Sequence, residues 1–210
     1  METMVWTDEQ NVIFEEVQDA IDSSFGSNRL LFIDAKAGCS KTTVVKEIVR
    51  RNPTKNYIYT AFNKKIVEEG TKAFGKDHCK TFHALAYKFV SRPNIKGFYP
   101  NVIVAPGFTY ADKKIVVDML DKYCLSRFLD VDEFFDEYAI EDYHGDVILE
   151  YLEKMANRDI GMTFNYMLKE LHHNLASGDT VVKLDMLFVD EAQDLTPVML
   201  EIFGLIQADV

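Results

Sequence analysis

Two short stretches of this sequence carry residue types that together could bind and cleave a phosphoanhydride. The first is Ala35-Lys36-Ala37-Gly38-Cys39-Ser40-Lys41-Thr42-Thr43, set between an apolar run and a helical pattern. Its spacing is that of G-x-x-x-x-G-K-[ST], with Ala35 at the first glycine and Ser40 at the glycine before the lysine. Successive backbone N–H groups leading into a helix N-terminus make a concave site for phosphate oxygens. Lys41 would bring a mobile charge to the β- and γ-phosphates, and the Thr42 hydroxyl would ligate Mg2+. Ser40 is the weightier departure, because a Cβ crowds the close approach that glycine permits. Read alone, the stretch also suits a helix that merely begins with a Ser-Lys-Thr-Thr cap.

The second stretch settles between those readings. Leu187-Phe188-Val189 is an apolar run ending in Asp190-Glu191-Ala192-Gln193-Asp194. A carboxylate at such a strand end can hold Mg2+ opposite Thr42, and the next one can orient and deprotonate an attacking water. A lone Asp-Glu pair is common at helix N-termini, where the dipole favours it. With a phosphate loop upstream, the metal and base roles for Asp190 and Glu191 are the stronger reading.

These residues need a scaffold. Leu30 to Ile33 reads as a short buried strand before the loop, and Thr43 to Arg50 as the helix after it. Asn56 to Ala61 reads as a strand, Lys64 to Phe74 as a helix, Leu184 to Val189 as a strand, and Pro197 opens a last helix. Strands alternating with helices predict a parallel α/β sheet. At the N-terminus, Thr7 and Gln10 have the spacing of a capping box for a helix running to Ala20. Between Phe89 and Thr180 the pattern turns helical, around 111–124, 131–138, 145–157 and 163–176. The expected division is therefore 1–88, an inserted helical subdomain 89–180, and a return to the sheet over 181–210.

Composition narrows the class. No apolar run reaches the roughly 18 residues of a membrane span, and residues 1–10 hold no basic residue of a secretory signal. Three cysteines, Cys39, Cys79 and Cys124, do not make a disulfide framework. A soluble protein of the cytoplasm or nucleus is expected. The net charge of −11 argues against a broad basic face for duplex DNA. It leaves room for a narrow groove in which single-stranded bases stack.

Five segments in order resemble the UvrD/PcrA-like branch of superfamily 1 DNA helicases: Trp6-Thr7-Asp8-Glu9-Gln10, the AKAGCSKTT loop, Tyr59-Thr60-Ala61-Phe62-Asn63-Lys64-Lys65, Thr81-Phe82-His83-Ala84-Leu85-Ala86 and DEAQD. The third is closest to F-box-type DNA helicases and phage relatives. The resemblance implies a RecA-like P-loop NTPase domain with an inserted helical subdomain, using ATP and Mg2+. It implies that Gln10 contacts adenine and that Ala37, Gly38, Cys39, Ser40, Lys41, Thr42 and Thr43 hold the nucleotide. Lys41, Glu191 and Gln193 would be catalytic, with Thr42 and Asp190 at the metal. Thr60, Phe62, Asn63, Thr81 and His83 would line a track for single-stranded DNA, with 3′-to-5′ polarity. Helicases of this kind continue with a GDxxQ motif and a second RecA-like domain that supplies arginines. Neither follows DEAQD here, so a truncated fragment with weak or no activity by itself is expected. The alternative is a non-catalytic nucleotide-binding or protein-docking module.

Other candidates are blander. His78, Cys79 and His83 lack a fourth ligand at zinc spacing, and Cys39 reads as a small loop residue. Residues 130–153 hold ten acidic side chains and no Lys or Arg. That stretch reads as a solvated face, with a docking surface for a protein partner as the sharper alternative.

Overall fold

The structure is a computed structural model and describes residues 5–23, 29–34, 41–62 and 64–210. The chain forms two compact units, one from 1–81, 181–194 and 206–210, the other from 82–180 and 195–205.

The first unit is α/β. β1 (Tyr57–Ala61) lies between β2 (Cys79–Thr81) and β4 (Met186–Asp190), all parallel. β1 and β2 are joined through α3 (Lys64–Phe74), and residues 82–180 of the helical unit separate β2 from β4 along the chain. Parallel strands are covered on both faces, and Tyr57, Tyr59, Thr60 and Ala61 of β1 are accordingly all buried. The core joins Phe14 and Val17 of α1 (Asp8–Asp22), Val44 and Ile48 of α2 (Lys41–Arg51), Val67 and Phe74 of α3, and Met186. Each such side chain contributes roughly 1.5–3 kcal/mol on burial. α1 starts as its sequence predicts: the Thr7 hydroxyl accepts from Gln10 N–H while Gln10 Oε1 accepts from Thr7 N–H.

One predicted element is corrected. Leu30 to Ile33 is not a strand, and Phe32 is 83% exposed. A strand needs a ladder, and among the described residues this segment has one cross-segment backbone bond, Arg29 N–H to Asp209 O. Residues 207–210 run beside Lys183–Leu184 and the start of β4. β5 (Gln207–Ala208) pairs parallel with β3 (Lys183–Leu184), and Leu187 N–H donates to Val210 O.

The second unit is helical: α4 (Phe82–Phe89), α5 (Tyr110–Leu125), α6 (Val131–Tyr138), α7 (Asp142–Ala156), α8 (Phe164–Ser177) and α9 (Pro197–Leu205). Caps set the ends. Thr109 and Asp112 form a capping box for α5, Thr163 caps α8, and Gly178 ends α8 at φ 83, a left-handed conformation that suits glycine. Phe82, Leu85, Leu120, Phe134, Ile148, Met155, Met167 and Leu168 are fully buried. Lys169 is buried with them, its ammonium donating to Ser126 O and Phe128 O at 2.8 Å each. The fold is the α/β, RecA-like arrangement expected, with a parallel sheet and a helical insertion.

Candidate functional site

Strand register gathers the site. Ala61 of β1 pairs with Thr81 of β2 on one side and with Asp190 of β4 on the other. Three segments distant in sequence thus end together at the carboxyl edge of a parallel sheet, the edge where such sheets bind ligands. Lys41 and Thr42 open α2, the helix that follows the phosphate loop. Ala37, Gly38, Cys39 and Ser40 lie outside the described residues, as does Asn63.

The loop lysine and the strand-end carboxylates meet. Lys41 Nζ stands 3.2 Å from Glu191 Oε1, both side chains about one-third exposed. Glu191 Oε2 accepts from Gln193 Nε2, so the three residues expected to be catalytic form one hydrogen-bonded group. The Gln193 amide and then Lys41 hold the Glu191 carboxyl below the ordinary glutamate range, which keeps it ionised. Glu191 also has φ 52, a left-handed conformation without a glycine. Its peptide turns the chain from β4 into the short 3-10 turn Ala192–Asp194, where Asp194 N–H donates back to Glu191 O.

Asp190 is held at both oxygens. Oδ1 accepts from Glu191 N–H at 3.0 Å, and Oδ2 accepts from the Tyr59 hydroxyl. Burial first, and Asp190 second, push the Tyr59 phenol up, so it stays a donor. Tyr59 was not among the residues the sequence singled out.

The other expected residues are distributed as follows. Gln10 lies on α1 with its side-chain oxygen occupied by the cap. Thr43 follows Thr42 in the first turn of α2. Phe62 directly follows β1 and is 40% exposed. Thr81 is half-buried at the end of β2. Thr60 differs from the expectation of a DNA contact. Its side chain is fully buried and its hydroxyl meets no partner among the described residues.

His83 belongs to the helical unit. Its Nε2 is 3.5 Å from Asn165 Oδ1, and Asn165 Nδ2 donates to Asp121 at 2.6 Å. Burial lowers the imidazole pKa, leaving a neutral ring that hydrogen-bonds without charge. The Phe164 ring meets it edge-on at 5.9 Å and is 57% exposed. An exposed aromatic at the first position of α8, beside His83, was not visible from spacing. In the acidic stretch, a cleft of about 420 Å³ between α6 and α7 is lined by Asp132, Phe135, Asp136, Asp146 and Leu149. Among the described residues no cluster suits a metal through His, Cys and carboxylates alone, and no helix is long and apolar enough to cross a membrane.

Known proteins bear out the resemblance. A family model described as AAA domain matches residues 18–210. The chain is 23% identical over 218 residues to F-box DNA helicase 1 of Gallus gallus, an alignment covering 89% of this chain and 22% of that protein. The chain thus spans about a fifth of that relative's length. No solved structure matches it. With the match running from α1 through the phosphate-loop helix to the DEAQD strand end and beyond, the chain belongs to the AAA domain family.

Proposed function

We propose that this chain is the ATP-binding portion of a 3′-to-5′ translocase or helicase that acts on single-stranded DNA inside the cell, in nucleus or cytoplasm. The observation that carries the reading is the meeting of Lys41 and Glu191 at 3.2 Å across 150 residues of sequence, next to Asp190 at the sheet's carboxyl edge. That juxtaposes a phosphate-binding cation, a base and a metal ligand. The Thr42 hydroxyl and Asp190 carboxylate are hard oxygen donors of the type Mg2+ takes, and Mg2+, when bound, neutralises phosphate charge.

The chain's own groups do the remaining work. Lys41 and Glu191 here neutralise each other. Phosphate oxygens compete for the lysine, and its departure leaves Glu191 an unpaired carboxylate able to take a proton from the attacking water. Gln193, bonded to Glu191, holds that carboxylate in place. Gln10 reaches adenine through its amide nitrogen while its oxygen caps α1. Toward DNA, Phe62 offers an exposed ring for a base, and, within the helical unit taken by itself, neutral His83 and exposed Phe164 offer a hydrogen bond and a ring. Stacking and neutral contacts suit a chain of net charge −11. A second RecA-like domain would add the arginines that stabilise the transition state, an effect of about 10³-fold or more.

Calorimetry of a Mg·ATP analogue, with and without a single-stranded oligonucleotide, tests the reading. Lys41→Ala removes a charge-assisted contact of roughly 1.5–3 kcal/mol, so affinity should fall about tenfold to a hundredfold. The oligonucleotide should change the affinity of the unsubstituted chain. Equal affinity in Lys41→Ala would sink the site.

A further inference from the structure

We propose that Tyr59 is a positioning residue for the metal site, fixing the Asp190 carboxylate through its hydroxyl. This rests on the nucleotide-binding reading and extends it to a residue outside the loop and the acidic strand end. Tyr59 is 3% exposed on β1, and its ring is set from two sides. Phe74 of α3 packs against it with ring centroids 4.9 Å apart. Gly70, one turn earlier on α3, leaves the space the ring fills: a Cβ there would stand 2.6 Å from Tyr59 Cε1 and 2.9 Å from Cδ1.

A glycine inside a helix costs about 1 kcal/mol relative to alanine. Its place directly over this ring gives that cost a local reason. The ring so held directs its hydroxyl to Asp190 Oδ2, while Glu191 N–H holds Oδ1. With a donor on each oxygen the carboxylate has one orientation, and each oxygen keeps a lone pair that would serve the metal site. A phenylalanine would fill the same space without fixing Asp190. The hydroxyl, rather than the ring, is therefore the functional part.

The experiment is ADP binding by calorimetry across a Mg2+ series, for the unsubstituted chain, Tyr59→Phe, Gly70→Ala and Lys41→Ala. Loss of an outer partner of a metal ligand typically costs 10- to 100-fold in metal affinity. Tyr59→Phe should shift the Mg2+ midpoint upward about tenfold or more, leaving ADP affinity without Mg2+ and the melting temperature nearly unchanged. Gly70→Ala, which keeps the hydroxyl but displaces the ring, should shift the midpoint in the same direction. In an Asp190→Asn background, Tyr59→Phe should have no further effect. A Tyr59→Phe midpoint equal to that of the unsubstituted chain overturns the proposal while leaving the nucleotide site standing. ADP binding that is absent, or indifferent to Lys41→Ala, overturns the nucleotide-binding reading and this proposal with it.

Discussion

Glu191 sits in a conformation that side chains rarely adopt, φ 52, and a non-glycine residue there stores about 1–3 kcal/mol of strain. The strain has a geometric return, since the carboxylate leaves the strand end toward Lys41 and Gln193. Glu191→Gln keeps side-chain size and hydrogen-bonding reach but cannot accept a proton. It also frees Lys41 from its ion pair, so analogue affinity should hold or rise. In a form of the protein that hydrolyses ATP, phosphate release should fall by about 10²- to 10⁴-fold. Steady-state phosphate release alongside calorimetry checks this, and unchanged turnover would remove Glu191 as the base. Lys41, Asp190 and Glu191 were legible because each stands in a short motif whose chemistry dictates its type. Tyr59 was not: its contact with Asp190 depends on pairing between strands 131 residues apart, and nothing local marks it. The burial of Thr60 was not legible for a related reason, since motif position says which strand a residue is on but not how that strand is covered.

At the scale of elements, helices were the most readable features because caps and apolar spacing are local signals. α3 and α6 occupy the spans the sequence predicts, and Thr7 caps α1 as expected. The segment 30–33 failed because apolar content cannot report whether a partner strand lies alongside. The acidic stretch was ambiguous for the opposite reason, as its aromatics suited either a core or a surface. Packing divides them: Phe134 is fully buried against Tyr123, Phe128, Phe135 and Tyr138, and Tyr151 is buried, whereas Tyr143 is 47% exposed. Tyr151 in addition accepts from Val104 N–H and donates to Val102 O, tying α7 to the loop before α5. Phe134→Ala should therefore cost about 3–5 kcal/mol, read as a lower denaturant midpoint. Glu137→Gln, on the exposed side of α6, should stay within about 0.5 kcal/mol. A small loss in Phe134→Ala would mean that α6 is not part of the helical core.

For the molecule as a whole, acid should be destabilising through groups the fold keeps neutral, over and above its paired carboxylates. His172 on α8 is 1% exposed, and burial first, then Lys169 and His173, lower its pKa from 6.5 to about 4. Its Nδ1 has no hydrogen-bond partner among the described residues, so a proton added there gains no acceptor among them. The unfolded chain binds a proton at about pH 6.5 and the folded chain only near pH 4. Stability tied to this group is thus complete above pH 6.5 and is lost as pH falls through that window to 4. At about 1.4 kcal/mol per pH unit, the loss amounts to roughly 3–4 kcal/mol. Urea unfolding at steps between those limits should show the slope in the unsubstituted chain and a shallower one in His172→Gln. Glu47 separates the two origins of acid sensitivity. Hydrogen bonds from Arg50, opposed by burial and aided by Arg51, hold its carboxyl near 2 rather than 4.5. Its contribution is therefore present above pH 4.5 and lost only below it. A midpoint that falls between pH 6.5 and 4.5 more steeply in the unsubstituted chain than in His172→Gln assigns that part of the acid transition to His172 in the helical unit. Parallel curves for the two proteins would show that His172 is protonated as readily in the fold as out of it.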